Sequence, residues 1–207
     1  MTSDDKNDVT IISGRNSVTL LTWLGHLPLN LISEHGAGLR LKNGDWKIVN
    51  LDNSWKPTVY AVLESFVKRT PGSFVEEKSS TLVWHYRAVE SALGNIRSRE
   101  LIEKLNQVIS NTQLQILDGN RAIEVRALGI DKGSSAKKLL QNNSYDFIIA
   151  LGDDKTDEDL FKEIKNKGYT IKIGSEETAA QYYLSDYKEA IQLLKRCAHV
   201  TKKVALD

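Results

Sequence analysis

The chain has 207 residues, which is long enough for one domain of ordinary size with a smaller inserted one. Lysines and arginines number 28 against 27 aspartates and glutamates, so no strong field favours nucleic acid or an anionic membrane as a partner. The single cysteine excludes an intrachain disulfide, and the sequence shows neither a signal-peptide pattern nor an apolar run long enough to span a membrane. We therefore expect a cytoplasmic protein that binds neither nucleic acid nor membranes.

The first predicted strand and the first predicted helix are joined by a turn that suits a phosphate. The β-branched run Val9 to Ile12 predicts the strand, and the leucines in 20–24 predict the helix. Ser13, Gly14 and Arg15 lie between them and offer a hydroxyl, free amides and a positive charge. The same residue types are common in ordinary turns, so this segment alone leaves both interpretations open.

A second strand, Leu29 to Ser33, is predicted before a glycine-containing turn at 34–38. The glycines allow the backbone to approach a ligand closely. His35 in this turn could contact a substrate, or it could be a neutral histidine packed in the loop. A β-hairpin follows in 39–49, because Asn43-Gly44 is flanked by two short strand-like runs.

The segment from 58 to 127 differs in pattern and indicates an α+β insert. Two amphipathic stretches predict helices, and four shorter alternating runs predict antiparallel strands. The predicted helices are Thr58–Arg69 and Glu90–Ser110, and the predicted strands are Ser73–Ser79, Thr81–Arg87, Leu114–Leu117 and Ala122–Arg126.

Charged side chains occupy several strand positions of this insert, among them Glu76, Lys78, Arg87 and Glu124. They could be cross-strand pairs exposed to water, which is the simpler interpretation. They would also suit a polyhydroxylated ligand, because carboxylates accept hydrogen bonds from hydroxyl groups while lysine and arginine donate them.

After the insert, alternating strands and helices return. The sequence Gly-Ile-Asp-Lys-Gly opens a helix at Lys132, which could be a solvated lysine or a point charge that neutralises a phosphate. The remaining predicted elements are strands at Phe147–Leu151, Thr170–Ile173 and Gln181–Leu184 and a helix from Tyr187 to about Ala198.

An acidic cluster follows the strand predicted at Phe147–Leu151, whose apolar run suggests a parallel strand covered on both faces. Asp153 and Asp154 lie at its carboxyl end, where open α/β sheets bind ligands, and Asp157 lies in the first turn of the next helix. Carboxylates grouped in this way suit a hard cation such as Mg²⁺. Alternatively, Thr156 and the acid three positions later form a capping box, and the acidic residues only offset the helix dipole.

Taken in order, these motifs resemble the trehalose-6-phosphate phosphatase family of the haloacid-dehalogenase superfamily. The segments that carry the resemblance are SGR, EHGA, EEKSSTLVWHYR, EVRALGIDKG and IIALGDDKTDEDLF, which together extend over nearly the whole chain. The resemblance implies an α/β fold with a Rossmann-like parallel sheet from residues 1–57 and 128–207 and an inserted α/β cap from residues 58–127. It also implies Mg²⁺-dependent hydrolysis of trehalose 6-phosphate to trehalose and phosphate.

The resemblance also implies roles for single residues. The phosphate-binding positions of the family match Ser13, Gly14, Arg15 and Lys132, of which Lys132 also matches a catalytic position. The magnesium ligand matches Asp153, supported directly or through water by Asp154 and Asp157. The cap positions that bind sugar hydroxyls match Glu76, Lys78, Arg87 and Glu124, with His35 and His85 as weaker candidates for substrate contact.

One motif of that family is absent from this sequence. In the family, an apolar strand followed by Asp-x-Asp-Gly-Thr supplies the nucleophile, the general acid and further magnesium contacts, and it forms the central strand of the sheet. Without it no phosphoaspartate can form, and the strands predicted at Val9–Ile12 and Phe147–Leu151 lack their common neighbour. We therefore expect a truncated sequence that is inactive by itself.

Two other functions stay open. The chain could be a non-catalytic sugar-phosphate-binding or regulatory module, for example the carboxyl end of a synthase-phosphatase fusion or a module associated with a trehalose-6-phosphate synthase. It could also belong to a phosphatase for a related sugar phosphate such as sucrose 6-phosphate. The segment EEKSSTLVWHYR argues against this last function.

Overall fold

The computed structural model describes residues 6–49, 52–141 and 143–204, so residues 1–5, 50, 51, 142 and 205–207 lie outside the described part. The chain divides into two compact units, one made of Met1–Lys47 and Asp131–Asp207 and the other of Ile48–Ile130. The sequence predicted a division at residues 58 and 127. The roles of the two units as core and cap stay predictions.

The described residues alternate between strands and helices along most of the chain. The strands are β1 Thr10–Ile12, β2 Asn30–Ser33, β3 Gly38–Arg40, β4 Trp46–Ile48, β5 Phe74–Glu77, β6 Thr81–His85, β7 Leu114–Gly119, β8 Ala122–Ala127, β9 Ile149–Gly152, β10 Tyr169–Ile173 and β11 Tyr182–Leu184. The helices are α1 Ser17–Leu24, α2 Lys56–Val67, α3 Ser91–Ile109, α4 Lys132–Gln141, α5 Asp157–Ile164 and α6 Tyr187–Val204, with a 3-10 turn at Glu34–Gly36. Within the described ranges, every helix is too short or too polar to cross a membrane.

The first unit contains two separate sheets. In one, β1 is parallel to β2, β2 is antiparallel to β3, and the strand order is β1-β2-β3-β4. In the other, three parallel strands have the order β11-β10-β9. Among the described residues, strands β1 and β9 are therefore both edge strands, in line with the expectation from the sequence that they lack a common neighbour.

Local sequence explains how the helices of this unit begin and where they pack. Helix α1 starts after Asn16, whose side-chain oxygen accepts a hydrogen bond from the Thr19 N–H at 2.8 Å. Its buried Leu20 packs in one small core with Leu29 and Leu31. A second core, formed by Ala136, Ala150 and Ile164, joins α4, β9 and α5. These contacts pack α4 and α5 against β9.

The strand before the acidic turn is shorter and more exposed than the sequence predicted. Strand β9 begins at Ile149, and Phe147 is 59% exposed. Its ring lies against that of Tyr169, with 5.4 Å between the ring centroids. The prediction that the whole run is covered on both faces was wrong for Phe147, because β9 is an edge strand and Phe147 precedes it.

The second unit is an antiparallel sheet in the order β5-β6-β8-β7, with α2 and α3 packed on one face. Alternation along the strands divides the side chains between the two faces. The core face carries Leu82, Trp84, Ile123 and Val125, which pack against helix residues such as Leu63, Leu101 and Leu105. The opposite face carries Glu76, Val83, His85, Glu124 and Arg126.

Candidate functional site

The turn after β1 is shaped by contacts with the turn after β2. Ser13 Oγ accepts a hydrogen bond from the Arg15 N–H at 3.2 Å. The N–H groups of Glu34 and His35 donate to the carbonyls of Arg15 and Ser13, at 3.0 and 2.9 Å. A Cβ at Gly14 would lie 2.4 Å from Nε2 of His35, so only glycine fits there. The phosphate-binding turn predicted from the sequence is therefore held as one unit at the carboxyl end of β1.

Arg15 makes an aromatic contact at this turn. Its guanidinium lies 4.5 Å from the centroid of the Trp23 ring, a distance typical of a cation–π interaction. The Arg15 side chain is exposed, so the guanidinium is accessible to a ligand from solvent. This arrangement is compatible with the predicted phosphate contact.

His35 lies under the turn and is only 9% exposed. Both Glu34 and His35 have positive φ angles, +46° and +58°, a conformation that costs free energy in residues other than glycine. Ser135 in α4 donates a hydrogen bond to the His35 carbonyl at 3.2 Å, and a Cβ at Gly36 would lie 2.3 Å from the same Oγ. These contacts join the turn to the start of α4. The substrate contact of His35 stays a prediction.

Lys132 and Asp157 form a buried ion pair between α4 and α5. Lys132 Nζ lies 2.6 Å from Asp157 Oδ1, and the two residues are 7% and 4% exposed. Gly133 makes this approach possible, because a Cβ there would lie 2.4 Å from the carbonyl oxygen of Asp159 in α5. The helices therefore touch at the point where Lys132 meets the acidic turn.

The Asp157 carboxylate fixes the acidic turn that contains Asp153 and Asp154. Its second oxygen, Oδ2, accepts the N–H of Asp154 at 2.8 Å. A Cβ at Gly152 would lie 2.2 Å from Asp157 Cγ, so the glycine at the end of β9 leaves the space that the carboxylate occupies. Both Asp157 oxygens thus have protein partners, which leaves Asp157 better suited to hold the turn than to bind a cation directly.

Asp153 and Asp154 fit a divalent cation. Ligand oxygens of Asp153, Asp154 and Asp157 all lie within 4.8 Å of one another, and the first two residues are exposed. Among the described residues, no hydrogen-bond donor engages the carboxylate of Asp153 or Asp154. Magnesium binds through one or two protein carboxylates, with waters and substrate oxygens as its other ligands. The donor set therefore matches the cation predicted from the sequence.

The capping box considered for this turn does not form. Thr156 has helical backbone angles and makes no side-chain capping hydrogen bond, and its hydroxyl is buried without a hydrogen-bond partner among the described residues. The carboxylate of Asp157 accepts the Asp154 N–H instead. The alternative of capping by Thr156 was wrong, because Thr156 has helical backbone angles and not the extended angles that an N-cap residue normally has.

The sequence-based prediction missed two groups that surround this turn. Lys172 in β10 is 1% exposed and donates from Nζ to the Asp153 carbonyl at 2.5 Å. Glu158 accepts hydrogen bonds from the Thr178 hydroxyl and the Ala179 N–H, both at 2.7 Å, and so fixes the loop after β10. A lysine between two isoleucines in a buried strand was the available signal for Lys172.

The polar sheet face of the second unit aligns two of the predicted sugar-binding carboxylates. Glu76 pairs with Val83, and Val83 pairs with Glu124, so the carboxylates lie in one row two strands apart. Two strand spacings correspond to about 10 Å, which is wide enough to flank a sugar ring. The apolar side chain of Val83 lies between the two carboxylates.

Other groups on this face are already paired. His85 Nε2 lies 2.8 Å from Glu76 Oε2, and the His85 ring stacks on Phe74 with 4.7 Å between centroids. Arg126 is 1% exposed and lies 3.9 Å from Glu124. The simpler interpretation, pairs exposed to water, fits Glu76 and His85 better than it fits the buried Arg126.

Lys78 and Arg87 lie beyond the ends of the strands. Arg87 is exposed, and its Nη2 donates to the Asn120 carbonyl at 3.4 Å. Lys78 belongs to a turn that is held by Lys56, whose Nζ donates to the carbonyls of Lys78 and Ser79 at 2.6 and 3.1 Å. The sugar-binding roles of Glu76, Lys78, Arg87 and Glu124 stay predictions.

Comparison with known proteins adds independent information. A sequence model of the trehalose-phosphatase family matches residues 1–189. Alpha,alpha-trehalose-phosphate synthase (UDP-forming) B of Dictyostelium discoideum is 40% identical over 95% of this chain, and the bifunctional trehalose-6-phosphate synthase/phosphatase of Thermoproteus tenax is 38% identical over 91%. In both cases the match covers 26% of the relative, so the chain spans about a quarter of the length of the curated relatives it matches.

A solved structure of similar fold agrees with these sequence matches. The C-terminal domain of trehalose-6-phosphate phosphatase from C. albicans superimposes with a TM-score of 0.88 at 29% sequence identity. The match covers 96% of this chain and 81% of that domain. The sequence match, the shared fold and the order of the site motifs lead to one conclusion, that the chain belongs to the trehalose-phosphatase family.

Proposed function

We propose that this chain supplies the phosphate-, magnesium- and sugar-binding groups for the hydrolysis of trehalose 6-phosphate to trehalose and phosphate. The observation that carries the proposal is the Lys132–Asp157 pair, which holds Asp153 and Asp154 in an exposed acidic turn at the carboxyl end of β9. Family membership and the activities in the names of the relatives support the choice of substrate.

The phosphate group is the part of the substrate that the first unit is proposed to bind. Ser13 and Arg15 offer a hydroxyl and a guanidinium at one turn, and Lys132 offers an ammonium beside the acidic turn. Arginine and lysine both bind phosphate oxygens strongly, because each hydrogen bond is charge-assisted. Asp153 and Asp154 would hold Mg²⁺, which, when bound, would neutralise phosphate charge and polarise the phosphoryl oxygen.

The sugar hydroxyls are proposed to be recognised by the polar sheet face of the second unit. Glu76 and Glu124 flank Val83 there, and carboxylates are strong acceptors for sugar hydroxyls. Lys78 and Arg87 would donate hydrogen bonds to the same class of ligand. This assignment would make the second unit the source of selectivity between sugar phosphates.

The proposed reaction also needs a nucleophile. The 207 residues contain no Asp-x-Asp-Gly-Thr segment, and the site carboxylates have other tasks. Asp157 is bound by Lys132 and by the Asp154 N–H, and Asp153 and Asp154 are the proposed cation ligands. We therefore expect these residues to bind substrate without turnover, in the cytoplasm and in connection with a trehalose-6-phosphate synthase.

A second candidate is a non-catalytic sugar-phosphate-binding module, which the absence of that same motif favours. Calorimetric titration of the 207-residue chain with trehalose 6-phosphate in Mg²⁺ tests the binding that both candidates share. We expect saturable binding that Lys132→Met weakens and that sucrose 6-phosphate does not reproduce. Absence of binding would refute both candidates. Tighter binding of sucrose 6-phosphate than of trehalose 6-phosphate would show that the substrate is a different sugar phosphate.

A further inference from the structure

Lys172 is a buried lysine beside the acidic turn, and the proposed function gives it no role. It is 1% exposed and lies between Ile171 and Ile173 in β10. In the sheet register it pairs with Gly152, the last residue of β9. This register brings the lysine side chain to the start of the turn that contains Asp153.

The ammonium group of Lys172 has two partners. Its Nζ donates to the backbone carbonyl of Asp153 at 2.5 Å and lies 3.6 Å from the Glu176 carboxylate. The Glu176 side chain is 80% exposed, so water screens that ion pair. A buried ammonium needs an acceptor, and the Asp153 carbonyl is therefore the contact that decides where Nζ lies.

This hydrogen bond acts on the residue whose side chain is proposed to hold the cation. The other side of the turn is fixed by Asp157, which accepts the Asp154 N–H and is itself paired with Lys132. The turn is thus held between two buried lysines, one acting through a carboxylate and one acting directly on the backbone. Groups that orient a metal ligand change metal affinity by about 10- to 100-fold when they are removed.

We propose that Lys172 is a positioning residue for the magnesium site, because its ammonium holds the Asp153 backbone and thereby orients the Asp153 carboxylate towards the cation. This inference rests on the proposed magnesium site. A purely electrostatic role would have the opposite sign, since removal of a nearby positive charge strengthens the binding of a cation. The direction of the change in Mg²⁺ affinity therefore separates the two roles.

The test is calorimetric titration of the 207-residue chain with Mg²⁺ for the wild type, Lys172→Met and Lys165→Met. Lys165 is exposed at the end of α5, so its replacement removes the same charge without touching the turn. We expect Lys172→Met to bind Mg²⁺ about tenfold more weakly than the wild type. Lys165→Met is the matched control and should bind like the wild type.

Two results would overturn the inference in different ways. Equal or tighter Mg²⁺ binding by Lys172→Met would refute positioning while leaving the magnesium site in place. Absence of Mg²⁺ binding by the wild type would refute the magnesium site itself, and the inference with it. Lys172→Arg keeps a charge and a donor, and it should bind Mg²⁺ more tightly than Lys172→Met.

A measurement on the unmodified protein applies even where Lys172→Met does not fold. The ammonium resonance of Lys172 can be followed by ¹⁵N NMR during a Mg²⁺ titration. We expect it to shift as the site fills, because its acceptor is the carbonyl of a ligand residue, while the Lys165 resonance stays unchanged. A Lys172 resonance that does not respond to saturating Mg²⁺ would refute the proposal.

Discussion

Replacing Asp157 with Asn should destabilise the first unit far more than the loss of an ordinary surface charge. The change keeps the shape of the side chain but removes the charge that Lys132 Nζ meets at 2.6 Å. Both side chains are less than a tenth exposed, so the lysine would be left as a buried ammonium without a counter-charge. Breaking a buried pair from one side costs about 3 to 5 kcal/mol in the free energy of unfolding.

A double-mutant cycle measures the coupling free energy between Asp157 and Lys132. Asp157→Asn and Lys132→Met should each lower the free energy of unfolding by about 3 kcal/mol. The double variant should lose clearly less than the sum, because no charge is then left buried and unpaired. Urea unfolding followed by far-UV circular dichroism measures all three values on the 207-residue chain.

A surface pair at the carboxyl end of α5 provides the control. Lys167 and Glu163 form an ion pair at i,i+4 spacing, but the lysine is 46% exposed. Glu163→Gln should therefore change the free energy of unfolding by less than about 0.5 kcal/mol. A loss below about 1 kcal/mol for Asp157→Asn, or full additivity in the cycle, would contradict the view that the Lys132–Asp157 pair holds the acidic turn.

Three further predictions concern the cation, the sugar and pH. Asp153→Asn should weaken Mg²⁺ binding at least tenfold in calorimetry while leaving the circular dichroism spectrum unchanged, and unaltered binding would place the cation elsewhere. Glu124→Ala should weaken the binding of trehalose 6-phosphate by about 1 to 3 kcal/mol relative to inorganic phosphate, and equal losses for both ligands would move Glu124 out of the sugar site. Burial, the hydrogen bond to Asp8 and the charge of Asp8 raise the pKa of Tyr145 to about 12 from an ordinary value of 10.0. The neutral phenol is therefore favoured in the folded state. Its contribution to the free energy of unfolding is complete below pH 10 and is lost as pH rises towards 12. Tyr145→Phe should therefore reduce the fall in the free energy of unfolding that urea unfolding measures between pH 10 and 12.

Features set by neighbouring residues could be predicted from the sequence. Asn43 has a φ of +60° in the hairpin between β3 and β4, as the Asn-Gly signal indicated. The acidic turn also lies at a strand end, between β9 and α5, because a short apolar run, a glycine and a cluster of carboxylates follow one another there. Such signals depend only on local backbone preferences and side-chain chemistry.

Features that depend on distant partners could not be predicted in the same way. The support of a cation by Asp157 stays a prediction, but its contacts with Lys132, 25 positions away in the chain, and with the Asp154 N–H could not be predicted. Phe147 was expected to be buried, but its exposure depends on the position of β9 at the edge of a sheet. Lys172 carried no motif, and its contact with Asp153 follows from strand register.

We propose that these 207 residues hold the binding groups of a trehalose-6-phosphate phosphatase but not its nucleophile. The most direct test is phosphate release from trehalose 6-phosphate in Mg²⁺, measured for this chain alone and for the chain preceded by an Asp-x-Asp-Gly-Thr strand. We predict turnover only with the added strand, and loss of that turnover when Asp153 is replaced by Asn. Turnover by the 207 residues alone would refute this proposal, because another carboxylate would then have to be the nucleophile.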